Sequence, residues 1–202
     1  MTIAVSADGD PVGAVRDLSG HGHHLLQPSS ASRPLYKTDA GLHWLEGDGI
    51  DDLLVSTIVL NSYPYQLMAG FEMLAAEDEG GIVALRKDNS AYKTLMQSSA
   101  GNYQLRATDR ASATLDARST VSDARHCASA NFDTGAMSLS VNAVTKNTTT
   151  NTNISGDTAD LRLFSFREND RWQGRIYAVA ITTGSVGPDV HAWLAARAGV
   201  SD

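Results

Sequence analysis

A single cysteine, Cys127, excludes an intrachain disulfide, so the chain must hold together by packing alone and can fold in a reducing compartment. Its residue type suits a small buried hydrophobe. Basic residues are also scarce: 16 Lys and Arg stand against 23 Asp and Glu, a formal charge of -7. They form no cluster, which argues against a nucleic-acid partner. No apolar run reaches the length of a membrane-spanning helix, and the opening Met1 to Ser6 has neither the basic region nor the apolar stretch of a signal peptide. Membrane insertion is therefore not expected.

What the chain does have is turn chemistry between short apolar runs. Val15 to Leu25 and Leu42 to Leu53 each set glycines and aspartates beside residues able to enter strands. Leu53 to Leu60 is short, β-branched and apolar on both faces, as in an internal strand. Further strands are predicted at Gln66 to Leu74, Gly81 to Arg86, Tyr103 to Thr108 and Ala113 to Ala117. From Met137 to Ala143 apolar and polar residues alternate strictly, which directs Met137, Leu139 and Val141 to one face. Leu161 to Phe166 repeats the pattern, with Leu161, Leu163 and Ser165 on one side and Arg162, Phe164 and Phe166 on the other. Gln173 to Ile181 reads as a strand in the middle of a sheet. The period then changes: Val190, Trp193, Leu194 and Arg197 follow helical spacing, with Pro188 suited to the first turn and Gly199 to the stop. This helix, over 188 to 198, is expected to cover an open end of the sandwich. Lys146 to Asp160 reads either as a long surface loop or as the turn of an extended hairpin. At 202 residues the expectation is one domain over 1 to 202, all-β, a two-sheet antiparallel β-sandwich with a short C-terminal helix and with Leu139, Val141, Leu163, Val179 and Ile181 in the shared core.

These phrases resemble the concanavalin A-like lectin and glucanase superfamily, in particular the laminin G-like domains of bacteriophage tail and virion proteins. The resemblance rests on Val15, Asp17, Ser19, Gly20, Gly22, Arg33, Pro34, Leu42, Trp44, Gly47, Gly49, Asp51, Asp52 and Leu53. Near the end, Phe164, Gly174, Arg175, Ile176, Val179, Ile181 and the segment Trp193 to Val200 continue it. It implies a jelly-roll fold and a noncatalytic structural or adhesion component of a phage tail or related particle. Such a component would be assembled in the bacterial cytoplasm and released by lysis, and as a homo-oligomer it would bind other virion subunits or a host surface glycan. The first phrase falls close to residue 1, as in a small subunit or a module cut from a longer fibre. The alternatives are a carbohydrate-binding module of a secreted or surface protein, and a glycan-cleaving enzyme. The glucanase branch carries its carboxylates on one strand, in a phrase such as Glu-x-Asp-x-x-Glu, and this chain has none. It also lacks a Gly-x-Ser-x-Gly elbow, and His126 beside Cys127 would project from the opposite face of a strand. No enzyme is expected. One departure concerns the family's Val-Asn-Gly turn: Ala143 follows Asn142 where glycine is usual, so the hairpin there is expected to be reshaped or lost.

A sugar has an apolar face and a rim of hydroxyls, and its site needs an aromatic platform with amides and carboxylates nearby. Trp172, after the polar turn Glu168-Asn169-Asp170-Arg171, reads either as an exposed anchor, with Asn169 as an amide beside it, or as a ring buried against the last strand; Tyr63 and Tyr65, flanking Pro64 in a turn, are further candidates, with local packing as their alternative. Trp44 reads as core. Asp48, Asp51 and Asp52 offer hard oxygen ligands and make a weak calcium candidate, though Asp-Gly turns that cap a strand are the simpler reading. His21, His23, His24 and His43 have no metal-specific spacing.

Overall fold

Alternation decides which residues meet in the interior. Met137, Leu139 and Val141 are buried as expected, and so are Leu54, Leu161 and Leu163, while Val179 and Ile181 pack half-buried against them. Fully burying one such side chain contributes about 1.5–3 kcal/mol. The computed structural model describes residues 5–58, 64–75, 79–88, 90–98, 103–110, 114–122, 124–150, 160–184, 186 and 188–200. Within them the strands run β1 (Ala14–Val15), β2 (Leu25–Leu26), β3 (Leu35–Asp39), β4 (Leu42–Asp48), β5 (Leu54–Thr57), β6 (Tyr65–Met73), β7 (Gly80–Arg86) and β8 (Tyr92–Ser98). They continue with β9 (Gln104–Arg110), β10 (Thr114–Thr120), β11 (Arg125–Asp133), β12 (Ala136–Val141), β13 (Val144–Thr149), β14 (Asp160–Leu163) and β15 (Gln173–Thr183), before helix α1 (Pro188–Ala198). One sheet has eight strands in the order β1-β2-β5-β14-β7-β8-β9-β10, the other seven in the order β13-β12-β11-β6-β15-β4-β3. All their pairings are antiparallel, giving the all-β sandwich that the sequence implies.

The glycines of two sequence phrases have a packing role. Gly47 and Gly174 face each other across β4 and β15. A β-carbon on Gly47 would enter the Phe164 ring, and one on Gly174 would enter Trp172. The two bare positions make room for those rings, which stack with centroids 5.9 Å apart. Phe164 reaches this place because its φ of 65° breaks the strand alternation, so it joins the core instead of lying beside Arg162 as its spacing predicts. Phe166, one step past the expected partner, packs on the outer side against Ala84, Tyr92 and Met96.

Helix α1 ends as its sequence dictates. Gly199 takes φ +63°, the Val200 N–H donates to the Ala195 carbonyl at 2.9 Å and the Gly199 N–H to that of Ala196 at 3.2 Å, a Schellman stop. Its place differs from the expectation. Leu194 and Ala195 lie with Met68 and Cys127 on the outer face of the seven-stranded sheet, not over an open end. Gly70 permits the approach, since a β-carbon there would sit 3.0 Å from the Leu194 carbonyl oxygen.

Other boundaries also shift. Val144–Thr149 forms β13, so the first residues of the expected 146 to 160 loop are a hairpin strand, while 151 to 159 fall outside the described residues. The β12–β13 hairpin is kept despite Ala143, with φ 49° at Asn142 and 61° at Ala143. Strands β8 and β11 escape the apolar pattern because each buries polar groups. Lys93 of β8 faces Asp109 of β9 from the inner side, and its ammonium lies 5.4 Å from the Tyr65 ring centroid. Burial lowers the Lys93 pKa, and Asp109 opposes that shift.

Candidate functional site

The outer face of the seven-stranded sheet, beside the C-terminal end of α1, carries a polar and aromatic groove. On β4, Leu42, Trp44 and Glu46 alternate to this side, while Leu45 packs against the core. The β15 register shifts between Ile176 and Ala178, leaving Tyr177 as the extra residue of a β-bulge. Arg175 and Tyr177 share one face by simple alternation, and the bulge returns Val179 to the core side taken by Ile176. The Tyr177 and Trp44 rings lie 5.7 Å apart, tilted by 46°. The Arg175 guanidinium stacks 5.1 Å from the Trp44 ring centroid. Its Nε donates to Glu46 at 2.8 Å and its Nη1 to Glu72 at 3.2 Å. Trp44 Nε1 also donates to Glu46, at 3.2 Å, and the Tyr177 hydroxyl to Glu72, at 2.7 Å. Trp44, Glu72, Arg175 and Tyr177, together with Asp39, Leu42 and Arg125, bound a groove of about 320 Å³, with Glu46 just outside its lining.

The network fixes protonation as well as shape. Burial, then the hydrogen bond to Glu72 and its charge, push the Tyr177 pKa up to about 12, so the hydroxyl stays a donor at neutral pH. Burial is the largest single influence on Arg175 and works against its charge, but the combined bonds and charges of Glu46 and Glu72 outweigh it and raise the pKa. A half-buried aromatic pair flanked by fixed donors and acceptors matches the apolar face and hydroxyl rim of a sugar ring.

At the end of β4 the chain turns through the three aspartates. Asp48 Oδ1 accepts from the Ile50 N–H at 2.8 Å and from that of Asp51 at 3.4 Å, Asp52 Oδ2 accepts from the Asp48 N–H at 3.0 Å, and Asp51 Oδ2 accepts from the Ser32 hydroxyl at 2.9 Å. The strand-capping turn and the candidate cation site are thus the same residues. One oxygen from each carboxylate lies within 4.8 Å of the others, and only Asp52 is buried. Burial pushes the Asp52 pKa up to about 6; the Asp48 N–H bond and Arg171 oppose the rise, and the charges of Asp48 and Asp51 add to it. Such hard oxygens suit a divalent cation such as calcium. Beside them a second cleft, of about 370 Å³, is lined by Arg33, Gln173 and Glu46, the last shared with the aspect of β4 next to the groove.

Two of the aromatic residues expected to form a platform, Trp172 and Tyr65, are buried in the core. Trp172 is fully buried: it stacks on Phe164, meets Phe71 edge-on at 6.3 Å and donates from Nε1 to Gln97 at 2.9 Å. Tyr65 is fully buried beneath Lys93. Burial leaves neither ring a face for a ligand. Tyr63 lies outside the described residues, and Asn169 is exposed in the turn after β14. Trp44, read as core, is the half-buried ring on the outer face. Strand alternation puts Trp44 and Glu46 on one side of β4 but does not say which side is the interior. Alternation likewise puts Tyr177 beside Arg175, again without saying which side is the interior. The histidines find local partners: His21 bonds Ser19, His24 accepts from the Asp17 N–H and His43 bonds Tyr36.

At the groove, the carboxylates Glu46 and Glu72 are both ion-paired to Arg175 and act as fixed acceptors, not as the free carboxyl pair that glycoside cleavage uses. Cys127 lies buried under α1, with its thiol 3.8 Å from the His191 carbonyl and 3.9 Å from its Nδ1.

No family model and no curated protein matches the sequence. Solved structures do match the fold. Domain 4 of AbnA, a GH43 extracellular arabinanase from Geobacillus stearothermophilus solved with arabinotriose, aligns at TM-score 0.67 and 19% identity over 80% of this chain and 81% of its own. The binding domain of botulinum neurotoxin DC, solved with SialylT, aligns at TM-score 0.60 and 10% identity over 93% of this chain, which spans 51% of that domain. The CBM40 of Ruminococcus gnavus IT-sialidase, bound to α2,3-sialyllactose, aligns at 0.50 and 12% over 65% of this chain and 82% of its own. At these identities the shared property is the fold, a two-sheet antiparallel β-sandwich.

Proposed function

We propose that this chain is a noncatalytic carbohydrate-binding module and that the outer-face groove holds the glycan. The observation that carries this reading is the pairing of Trp44 and Tyr177 beside a guanidinium and two carboxylates already fixed in position. Trp44 and Tyr177 would take the apolar face of a sugar ring, while Arg125, Arg175, Glu46 and Glu72 would meet its hydroxyls. The neighbours of similar fold were solved with an arabinotriose and a sialyllactose, which makes plant and sialylated oligosaccharides the first probes. The phage-particle setting rests on the sequence phrases between Val15 and Leu53 and between Phe164 and Val200; a tail component bearing this module would use the same groove.

A glycan array followed by calorimetric titration of the best oligosaccharide tests the reading. Trp44→Ala is expected to abolish binding while leaving the thermal unfolding cooperative. Full binding by that variant would remove the groove from consideration.

A further inference from the structure

We propose that Arg86 and Arg162, on the outer face of the eight-stranded sheet, form an oxyanion site for a carboxylate or sulfate group, closed in this structure by the side chain of Glu168. Arg162 on β14 pairs with Ala84 of β7, and Asp160 with Arg86, so the two arginines occupy diagonal positions on one face. Both side chains are nearly excluded from solvent, at 10% exposure for Arg86 and 9% for Arg162. The carboxylate that covers them comes from the turn after β14 and is itself 61% exposed. A single oxygen of it, Oε1, lies 3.0 Å from Arg86 Nη2 and 3.8 Å from Arg162 Nη2.

The fit is poor in a specific way. A guanidinium offers five N–H donors in a fixed fork. Arg162 uses Nη2 toward Asp160 at 3.3 Å and toward Glu168, while its Nε and Nη1 are buried with no partner among the described residues. Leaving buried donors unmade is unfavourable, and a second positive charge alongside adds repulsion. An oxyanion bringing two or three oxygens could bridge both forks, whereas Glu168 brings one oxygen at uneven distances. Glu168 is itself 61% exposed, so its side chain can move into solvent as an incoming oxyanion takes over the pairing with the two buried guanidiniums. Glu168 is thus an internal stand-in for the ligand, and Asn169 beside it is exposed to the same solvent. On the module reading above, the oxyanion belongs to an acidic sugar, a uronate or a sulfated residue. The site lies on the other sheet from the groove, so each can fail alone.

The test titrates inorganic sulfate and, separately, glucuronate into the full chain and its Glu168→Gln variant at constant ionic strength. Calorimetry gives the affinity, and the Arg162 Nε–H resonance reports the location. Glu168→Gln is expected to bind at least one of the two probes about tenfold more tightly than the parent chain and to shift that resonance. The probe that binds identifies the group as sulfate or carboxylate. Adding Arg162→Lys to Glu168→Gln should reverse the gain. Equal affinity with and without Glu168, or tighter binding that leaves the Arg162 resonance unmoved, would overturn the proposal. The resonance shift decides the matter even if the double variant does not fold. Trp44→Ala should leave this binding unchanged.

Discussion

The Tyr177 hydroxyl reaches Glu72 at 2.7 Å from the position at which β15 holds one residue more than its partner strand. Without the bulge, strict alternation would carry the outer-face set out of step with the core residues Ile176 and Val179. The bulge keeps both sets. Removing the hydroxyl should therefore affect the groove and spare the fold. Tyr177→Phe is expected to weaken glycan binding about tenfold, the size of one hydrogen bond to a charged group, with the melting temperature shifting by only a few degrees. Calorimetry beside a thermal melt checks both halves, and undiminished affinity would place the ligand elsewhere.

Asp52 gives the fold a pH response whose sign follows from its raised pKa. The free carboxyl titrates near 3.8 and the folded one at about 6, so between these values the folded state holds the extra proton. The contribution of Asp52 to stability is fully present below about pH 4, is lost as pH rises through 6, and stays lost above it. Asp52→Asn keeps an acceptor for the Asp48 N–H and removes the charge. It should raise the melting temperature at pH 8 and make no difference at pH 4. Millimolar calcium should raise the parent's melting temperature at pH 8, have a smaller effect at pH 5 where the proton competes, and leave Asp52→Asn unmoved. Scanning calorimetry at three pH values with calcium or EDTA settles it; a parent indifferent to calcium at pH 8 would reduce the three aspartates to a turn.

Of the two places the sequence leaves open for Trp172, the structure takes the buried one, and its substitution separates packing from binding. Although it follows four polar residues, its ring completes the core through a gap left by Gly174. Trp172→Ala is expected to cost about 3–5 kcal/mol, as for other large-to-small core changes. Urea unfolding would show the loss, and glycan affinity measured on the remaining folded fraction should equal the parent's. A selective loss of affinity without loss of stability would return Trp172 to the binding site.

The fold was legible where side-chain period and turn chemistry agree. The run Met137 to Val141 and the helix bounded by Pro188 and Gly199 both appear as their patterns require. The site was not legible, for two physical reasons. Period 2 assigns Leu42, Trp44 and Glu46 to one face but is symmetric between interior and exterior; the packing of Leu45 against the core and of Phe164 over Gly47 marks the other face as the interior. Nothing local announces that Arg175, Glu72 and Glu46 will meet, because their register is fixed by strands far apart in the chain. Buried charge defeats the method too: Lys93 sits inside, where composition would place it outside.

The β12–β13 turn offers a prediction of the opposite sign, a substitution that strengthens the fold. Asn142 and Ala143 both hold left-handed backbone angles, φ 49° and 61°, as a two-residue turn of this hand requires. Asparagine tolerates that region, and here it is tied down, its N–H donating to the Cys127 carbonyl at 2.7 Å and its Oδ1 accepting from the Cys127 N–H at 3.0 Å. Alanine has no such compensation, and its β-carbon costs about 1–2 kcal/mol in the left-handed region. Ala143 is exposed, so glycine would leave no cavity. The greater freedom of glycine in the unfolded chain offsets part of the gain, by roughly 0.4–1 kcal/mol. Ala143→Gly should therefore raise stability by about 0.5–1 kcal/mol in urea unfolding. Asn142→Ala should lower it, since it removes the bond to Cys127 and puts a second alanine at positive φ. If Ala143→Gly destabilises instead, the hairpin does not adopt this turn.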